Sequence, residues 1–214
     1  MAEARTGTAS LPRGRHHLSR AQVVEAQRLR LVAGLAEAMA EGGYVATSVA
    51  TVLKRAGVSR ETFYQLYDDK LGCFLDALDV VTEVLVAELD ATQGTPGTPL
   101  ERAERSVSRY LATVVDQPAF ARLFIVEVHA AGPEAMLRRA ALQDRLGDRL
   151  AALLGARTAA ARFALRSYIA AVSALVATPL ATGDLDAIRA LRGPLLQQLR
   201  SLAAAGLIGP RTAA

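Results

Sequence analysis

Apolar positions recur at helical spacing along almost the whole chain. Leu31, Leu35 and Met39 stand four residues apart and predict a buried stripe on a first helix from about Ser19 to Glu41. Gly42-Gly43 stops that helix, because glycine takes the left-handed conformation a helix end needs. Thr47 or Ser48 then caps a second helix ending near Ala56, Gly57 makes a turn, and Ser59 caps a third. Asp68-Asp69 caps a long fourth helix with Lys70 in its first turn and Leu71, Leu75, Leu78, Leu85 and Leu89 on its apolar face. The run Gly94-Thr95-Pro96-Gly97-Thr98-Pro99 is a loop. Beyond it the pattern predicts helices over about Leu100–Val115, Pro118–Ala130, Pro133–Leu154, Thr158–Thr178 and Asp186–Ala205. That makes about nine helices with no strand signal and no internal repeat, so the chain reads as all-α.

The pattern also suggests an organisation. Residues 1–18 hold Gly, Pro, Ser and Thr with Arg5, Arg13 and Arg15, show no apolar period, and read as a flexible basic arm. Residues 19–69 form a small helix-turn-helix domain, and 70–214 a larger helical one.

Composition sharpens this. Apolar residues make up 51% of the chain and aromatics 5%, with alanine and leucine dominant, which favours helix. The net charge of +4 is unevenly placed: residues 1–60 hold nine Arg/Lys against four Asp/Glu, the remainder sixteen against seventeen. An anionic partner for the N-terminal part is therefore expected. A single cysteine, Cys73, excludes an intrachain disulfide, and with His16, His17 and His129 scattered no zinc site is expected. No metal or cofactor is expected, and the chain suits a reducing cytoplasm. The first twenty residues hold no apolar core of a signal peptide. The longest uncharged run, Ser167–Gly183, is short for a bilayer and broken by Pro179, so a buried helix is expected rather than a membrane span. No Cys/His pair, glycine-rich phosphate loop or G-x-S-x-G elbow is present, and nothing supports an enzyme.

The segment after Gly43 carries the chemistry. On a helix over 59–67, Val58, Phe63 and Tyr67 point inward while Arg60, Glu61, Tyr64 and Gln65 share the outer face. Arg60 can pair with guanine O6 and N7, Gln65 with adenine N6 and N7, and Glu61 can accept from cytosine N4. Tyr64 is suited to a backbone phosphate. The helix starts at Thr47-Ser48 and at Lys70 offer N–H groups to anions. Ordinary capping explains Thr47 and Ser59 equally well, so these residues alone leave both readings open.

Residues 28–75 resemble the DNA-binding domain of the tetracycline-repressor (TetR) family of bacterial transcription regulators. The resemblance rests on Gly43-Tyr44, Thr47-Ser48-Val49, Ala56-Gly57-Val58-Ser59, Thr62-Phe63-Tyr64, Tyr67 and Lys70. Leu66 stands where that family commonly has histidine, Tyr67 where it has phenylalanine, Leu71 where an acid is frequent, and Glu61 where a small residue is. The resemblance implies phosphate contacts by Thr47, Tyr64 and Lys70, with Ser48 at the same helix start. It implies groove-facing positions at Ser59, Arg60, Glu61 and Gln65, with Thr62 beside them. Arg13, Arg15 and Arg20 are candidates for added contacts to DNA, against a solvated tail.

It further implies that the remainder binds a small-molecule effector and forms a homodimer through the last two helices. Ala160, Ala164, Ala171, Ala174 and Ala177 would allow close approach there, and Leu185, Ile188, Leu191, Leu195, Leu196, Leu199 and Leu202 would supply an apolar stripe. An intrachain core has the same period. Candidate pocket residues are Leu78, Tyr110, Phe124, Glu127 and Tyr168, Glu127 because it interrupts the apolar run Leu123–Val126. A surface position for Glu127 and a core position for the aromatics are the simpler alternatives. The expectation is a homodimeric, ligand-released repressor of a palindromic operator, with an activator or a ligand-independent DNA-binding module as alternatives.

Overall fold

Ser19 opens the first helix with a reciprocal cap: its side chain accepts from the Gln22 N–H, and the Gln22 side chain accepts from the Ser19 N–H. From there the computed structural model describes residues 19–208. The basic arm expected over 1–18, with Arg13 and Arg15, lies outside the described residues. Helix α1 (Arg20–Ala46) is interrupted at Gly43, where φ is 73° and ψ 172°. The chain continues through α2 (Val49–Ala56), α3 (Arg60–Leu66), α4 (Lys70–Gln93) and α5 (Pro99–Asp116). Helix α6 covers residues 118–131 in three pieces: α-helical Pro118–Arg122, a π turn over Leu123–Glu127, and α-helical Val128–Ala131. Then come α7 (Pro133–Leu154), α8 (Ala159–Thr182) and α9, which is Leu185–Ala190 and Arg192–Ala204 joined at Leu191. Among the described residues there are thus nine helices and no strand, as the apolar period predicts.

Two boundaries differ from expectation for reasons of proline chemistry. Helix α8 runs through Pro179 to Thr182 rather than stopping near Thr178. The carbonyl that loses its partner to that proline belongs to Leu175, on the exposed side of the helix, where water can replace the bond. Helix α9 breaks because Pro194 cannot donate to the Ala190 carbonyl, and Ala190 is where its first piece ends.

The core is one connected cluster. Leu31, Leu35 and Met39 on α1 are fully buried, as are Cys73, Phe74 and Ala77 on α4. Burial pushes the Cys73 thiol up to about 12, so it stays protonated and inert. Helix α1 packs on α2 and α6, and α7 packs on α4 and α8. Helix α9 lies on α5 and α8, with Ile188, Leu195 and Leu199 buried to 1% exposure or less. The leucine stripe expected to face a second subunit is therefore largely spent inside this chain. Helix α8 is long and apolar enough to cross a membrane by composition, but Leu165, Val172 and Val176 are buried in the core.

Three polar ties connect the first three helices to the rest. Asp76 on α4 accepts from Arg28 Nε (3.2 Å) and Nη2 (2.9 Å) on α1 and from the Tyr67 hydroxyl at the end of α3. Arg28 also bonds Glu25 one turn away. Burial first, and the Asp76 bond second, raise the Tyr67 pKa. The other two ties meet at Tyr44.

Candidate nucleic-acid interface and ligand cavity

Helices α2 and α3 are too short to be stable alone, and both are fixed by the same local device. Ser48 Oγ accepts from the Thr51 N–H at 3.1 Å, and Ser59 Oγ accepts from the Thr62 N–H at 3.1 Å. In each pair the two hydroxyls also bond at 2.9 Å. Between the helices Gly57 sits at φ 61° and ψ 37°, a left-handed conformation that costs a side-chain-bearing residue. Its N–H donates to the Leu53 carbonyl at 3.0 Å. Val58 and Phe63 are buried against α1 and α2, and Tyr67 is half-buried.

That packing leaves Ser59, Arg60, Glu61, Tyr64 and Gln65 exposed on one edge, with Thr62 half-buried behind them. The Arg60 guanidinium stands 5.7 Å from the Tyr64 ring centroid, so the arginine is partly pre-ordered by stacking. Gln65 Nε2 lies 3.4 Å from Glu61 Oε1, too long for a firm bond, so both side chains keep their hydrogen-bonding capacity. The edge therefore offers cationic, amide and carboxylate groups in the order that base edges can use.

The corner between α1 and α2 corrects part of the anion-binding set. Thr47 is turned inward at 4% exposure, and its hydroxyl donates to the Gly43 carbonyl at 2.7 Å. A hydroxyl already spent inside the corner is not presented to an outside phosphate; Ser48 is the cap and is exposed. Lys70 Nζ donates to the carbonyls of Tyr44 (2.6 Å) and Thr47 (2.8 Å) and stands 4.0 Å above the Tyr44 ring centroid. Burial lowers its pKa. Lys70 thus joins the start of α4 to the corner and keeps one N–H for another acceptor.

Glu127 reaches the same corner from the other side. At 6% exposure, its carboxylate accepts from the Tyr44 N–H at 2.8 Å and from Arg122 Nε at 3.2 Å. Arg122 Nη1 in turn donates to the Ala181 carbonyl at 2.9 Å. The residue expected in a ligand pocket, or else on the surface, is in neither place. It closes the π turn of α6 against α1, and its partner stands 83 residues earlier in the chain.

An apolar cavity lies between α4, α5, α7 and α8, walled by Leu85, Leu89, Val107, Leu146, Leu150 and Val172. A second cavity, between α4, α5 and α6, is lined by Val80, Val84, Phe120 and Ile125. The two share Leu85, Tyr110, Thr113 and Phe124 as a common wall. Tyr110, Phe124 and Tyr168 thus border cavity space. Leu78, at 1% exposure, and Glu127 do not: Leu78 is in the core beneath. The Tyr168 hydroxyl donates to the Leu195 carbonyl at 2.9 Å, and burial pushes both Tyr110 and Tyr168 up to about 12. Sequence reasoning missed Asp76 and Arg139. The second was visible as an arginine set within the α7 stripe of Ala135, Leu142, Leu146 and Leu150.

Residues 31–77 match the family profile described as bacterial regulatory proteins, tetR family. No curated protein matches the chain. Among solved structures, it is similar to the fatty acid degradation regulator FadR of Bacillus halodurans, with TM-score 0.70, 17% identity and coverage of 79% of this chain and 96% of that one. FadR of Bacillus subtilis, in complex with stearoyl-CoA, gives TM-score 0.68, 16% identity and coverage of 80% and 96%. A putative regulator from Syntrophomonas wolfei gives TM-score 0.72, 11% identity and coverage of 84% and 96%. At these identities the likeness is one of fold.

Proposed function

We propose that this chain, whose residues 31–77 are the N-terminal domain of the tetR family of bacterial regulators, is a cytoplasmic transcription regulator rather than an enzyme. It binds a palindromic operator as a homodimer and leaves it when a small amphipathic ligand enters the α4–α8 domain. Residues 19–69 read the DNA, and 70–214 sense and dimerise. The carrying observation is the exposed edge Ser59–Gln65 on a helix fixed by Gly57, the Ser59 cap and buried Phe63. Arg60 and Gln65 read bases, Tyr64 and the start of α2 at Ser48 hold phosphates, and Lys70 adds its remaining N–H.

A seven-residue helix reaches few base pairs, so two-fold pairing is needed for specificity, with half-sites about 34–36 Å apart. The exposed strip of α8 supports the pairing surface: Phe163, Ser167, Ala170, Ala174 and Thr178 fall on one face at about 100° per residue. Phe163 is 72% exposed and the rest are small, which allows helices to approach closely. Ala174→Arg is expected to turn the dimer into a monomer in light scattering without loss of helical content. A variant that remains a dimer would remove α8 from the interface.

Ligand response is supported by the apolar cavity and by the Bacillus subtilis neighbour, which holds stearoyl-CoA. The ligand must favour the state that does not fit DNA, and DNA must then weaken ligand binding by the same factor. Selection of bound sequences from a random pool is expected to return a palindrome; an asymmetric single site would overturn the dimeric reading. Arg60→Ala is expected to weaken operator binding by about 1–3 kcal/mol and to relax one position of that site. Unchanged base preference in the same selection would remove Arg60 from the reading edge.

A further inference from the structure

Arg139 occupies a position that an apolar residue would fill. Ala135, Leu142 and Leu150 on its face of α7 are buried and Leu146 half-buried, while its neighbour Arg138 turns out to pair with Asp79. Among the described residues Arg139 has no carboxylate partner. Its Nη2 donates to Ser173 Oγ at 2.9 Å, and its Nε is buried without a hydrogen-bond partner. The guanidinium carbon stands 6.0 Å from the Phe124 ring centroid. Arg139 is half-buried, and burial lowers its pKa with no carboxylate beside it to oppose the effect.

Ser173, Phe124 and Tyr110 all line the cavity between α4, α5, α7 and α8. Its other polar lining groups do not answer the charge. Ser106, Thr113 and Gln143 are neutral, and Glu88, the one carboxylate in the wall, is paired with Arg109. The rest of the wall is apolar. Arg139 is not itself part of the wall: it stands one turn before Gln143, where the α7 side of the wall begins, and meets the lining through Ser173 and Phe124.

We propose that Arg139, Ser173 and Tyr110 form the head-group end of this cavity, and that the ligand is a free carboxylic acid with an apolar body. The carboxylate takes the two parallel donors Nε and Nη2 of Arg139, displacing or sharing the Ser173 hydroxyl. The Tyr110 hydroxyl supplies a third donor, since burial keeps it protonated up to about 12. The body lies along Leu85, Leu89, Leu146, Leu150 and Val172. The inference rests on the ligand-responsive reading and narrows it: an alcohol of the same chain length has no negative charge for Arg139, and an acyl-CoA is neutral at its acyl carbonyl, its charges lying on the distant phosphates.

The test is calorimetric titration of the full-length protein with dodecanoate, dodecanol and dodecanoyl-CoA, together with operator binding in the presence of each. Dodecanoate is expected to bind at least about tenfold more tightly than dodecanol, the worth of a charge-assisted bond. Arg139→Gln should remove that preference and leave dodecanol binding unchanged, which also reports an intact cavity. Should that variant unfold, Arg139→Lys keeps the charge but not the fork and should weaken dodecanoate by about threefold or more. Equal binding of acid and alcohol, a thioester that binds best and ignores Arg139, or no binding of any of the three overturns the head-group site. Dodecanoate binding that depends on Arg139 but leaves operator affinity unchanged supports the site and sinks the ligand-responsive reading instead.

Discussion

Gly34→Val should abolish operator binding while most of the helical content survives. A Cβ at Gly34 would stand 2.9 Å from the Ala56 nitrogen, 3.1 Å from Ala56 Cβ and 3.1 Å from the Val52 carbonyl oxygen. Two of those atoms are backbone, so no rotamer change relieves the contact and α2 itself must move away from α1. Overpacking of this kind costs about 1–3 kcal/mol, and valine adds two methyl groups to the clash. Helix α3 rests on α1 and α2 alone among the closely packed elements, so its reading edge moves with α2. In the proposed dimer, two displaced edges would no longer match successive grooves. We expect operator affinity to fall by about a hundredfold or more, roughly 2.7 kcal/mol, in fluorescence anisotropy with labelled operator. Circular dichroism should show a lowered Tm with most helical signal intact. Full affinity in the variant would show that α1 and α2 are not as closely packed as described.

Glu127→Ala should both destabilise the protein and uncouple ligand from DNA. The substitution leaves the Tyr44 N–H without its acceptor and Arg122 without its carboxylate. Arg122 keeps the Ala181 carbonyl and some access to water, so the expected loss is about 1–3 kcal/mol rather than the larger cost of a stranded buried charge. For a chain of this length that is a fall in Tm of about 2–12 °C. Gly43 shares the site: it holds φ 73°, and a Cβ there would come within 3.1 Å of Glu127 Oε2. The carboxylate is a direct link from α6 to the corner that positions α2. Without it, a ligand bound in the cavity should shift operator affinity less than it does in the parent. Glu127→Gln keeps an acceptor for Tyr44 and should retain part of both effects. An unchanged Tm together with undiminished ligand response would show that the link carries no load.

What the sequence disclosed divides by the range of the interactions involved. Ser48, Ser59, Gly57 and the alternation of Phe63 with Tyr64 act within four residues, and local pattern was enough to place them. Thr47 and Ser48 were both possible caps; only the packed corner, with Thr47 bonded to Gly43, separates them. The leucines of α9 have the period of a buried face, but period does not say whose surface buries them. The structure assigns Ile188, Leu195 and Leu199 to α5 and α8 of the same chain and leaves the small-residue strip of α8 exposed. Glu127 was legible as an anomaly, not as a link, because nothing in its own neighbourhood names Tyr44. Lys70 was legible as a charge at a helix start, while the carbonyls that hold it depend on how α1 ends.

The π turn at Leu123–Glu127 has a consequence for comparing this chain with others. Such a turn is an α-helix that has taken in one additional residue. Side chains on either side of it are out of phase by about 100° with those of a regular helix of the same span. A relative whose sixth helix is regular must therefore be aligned with a one-residue gap inside 123–127. An ungapped alignment would set Glu127 opposite a residue that faces a different neighbour.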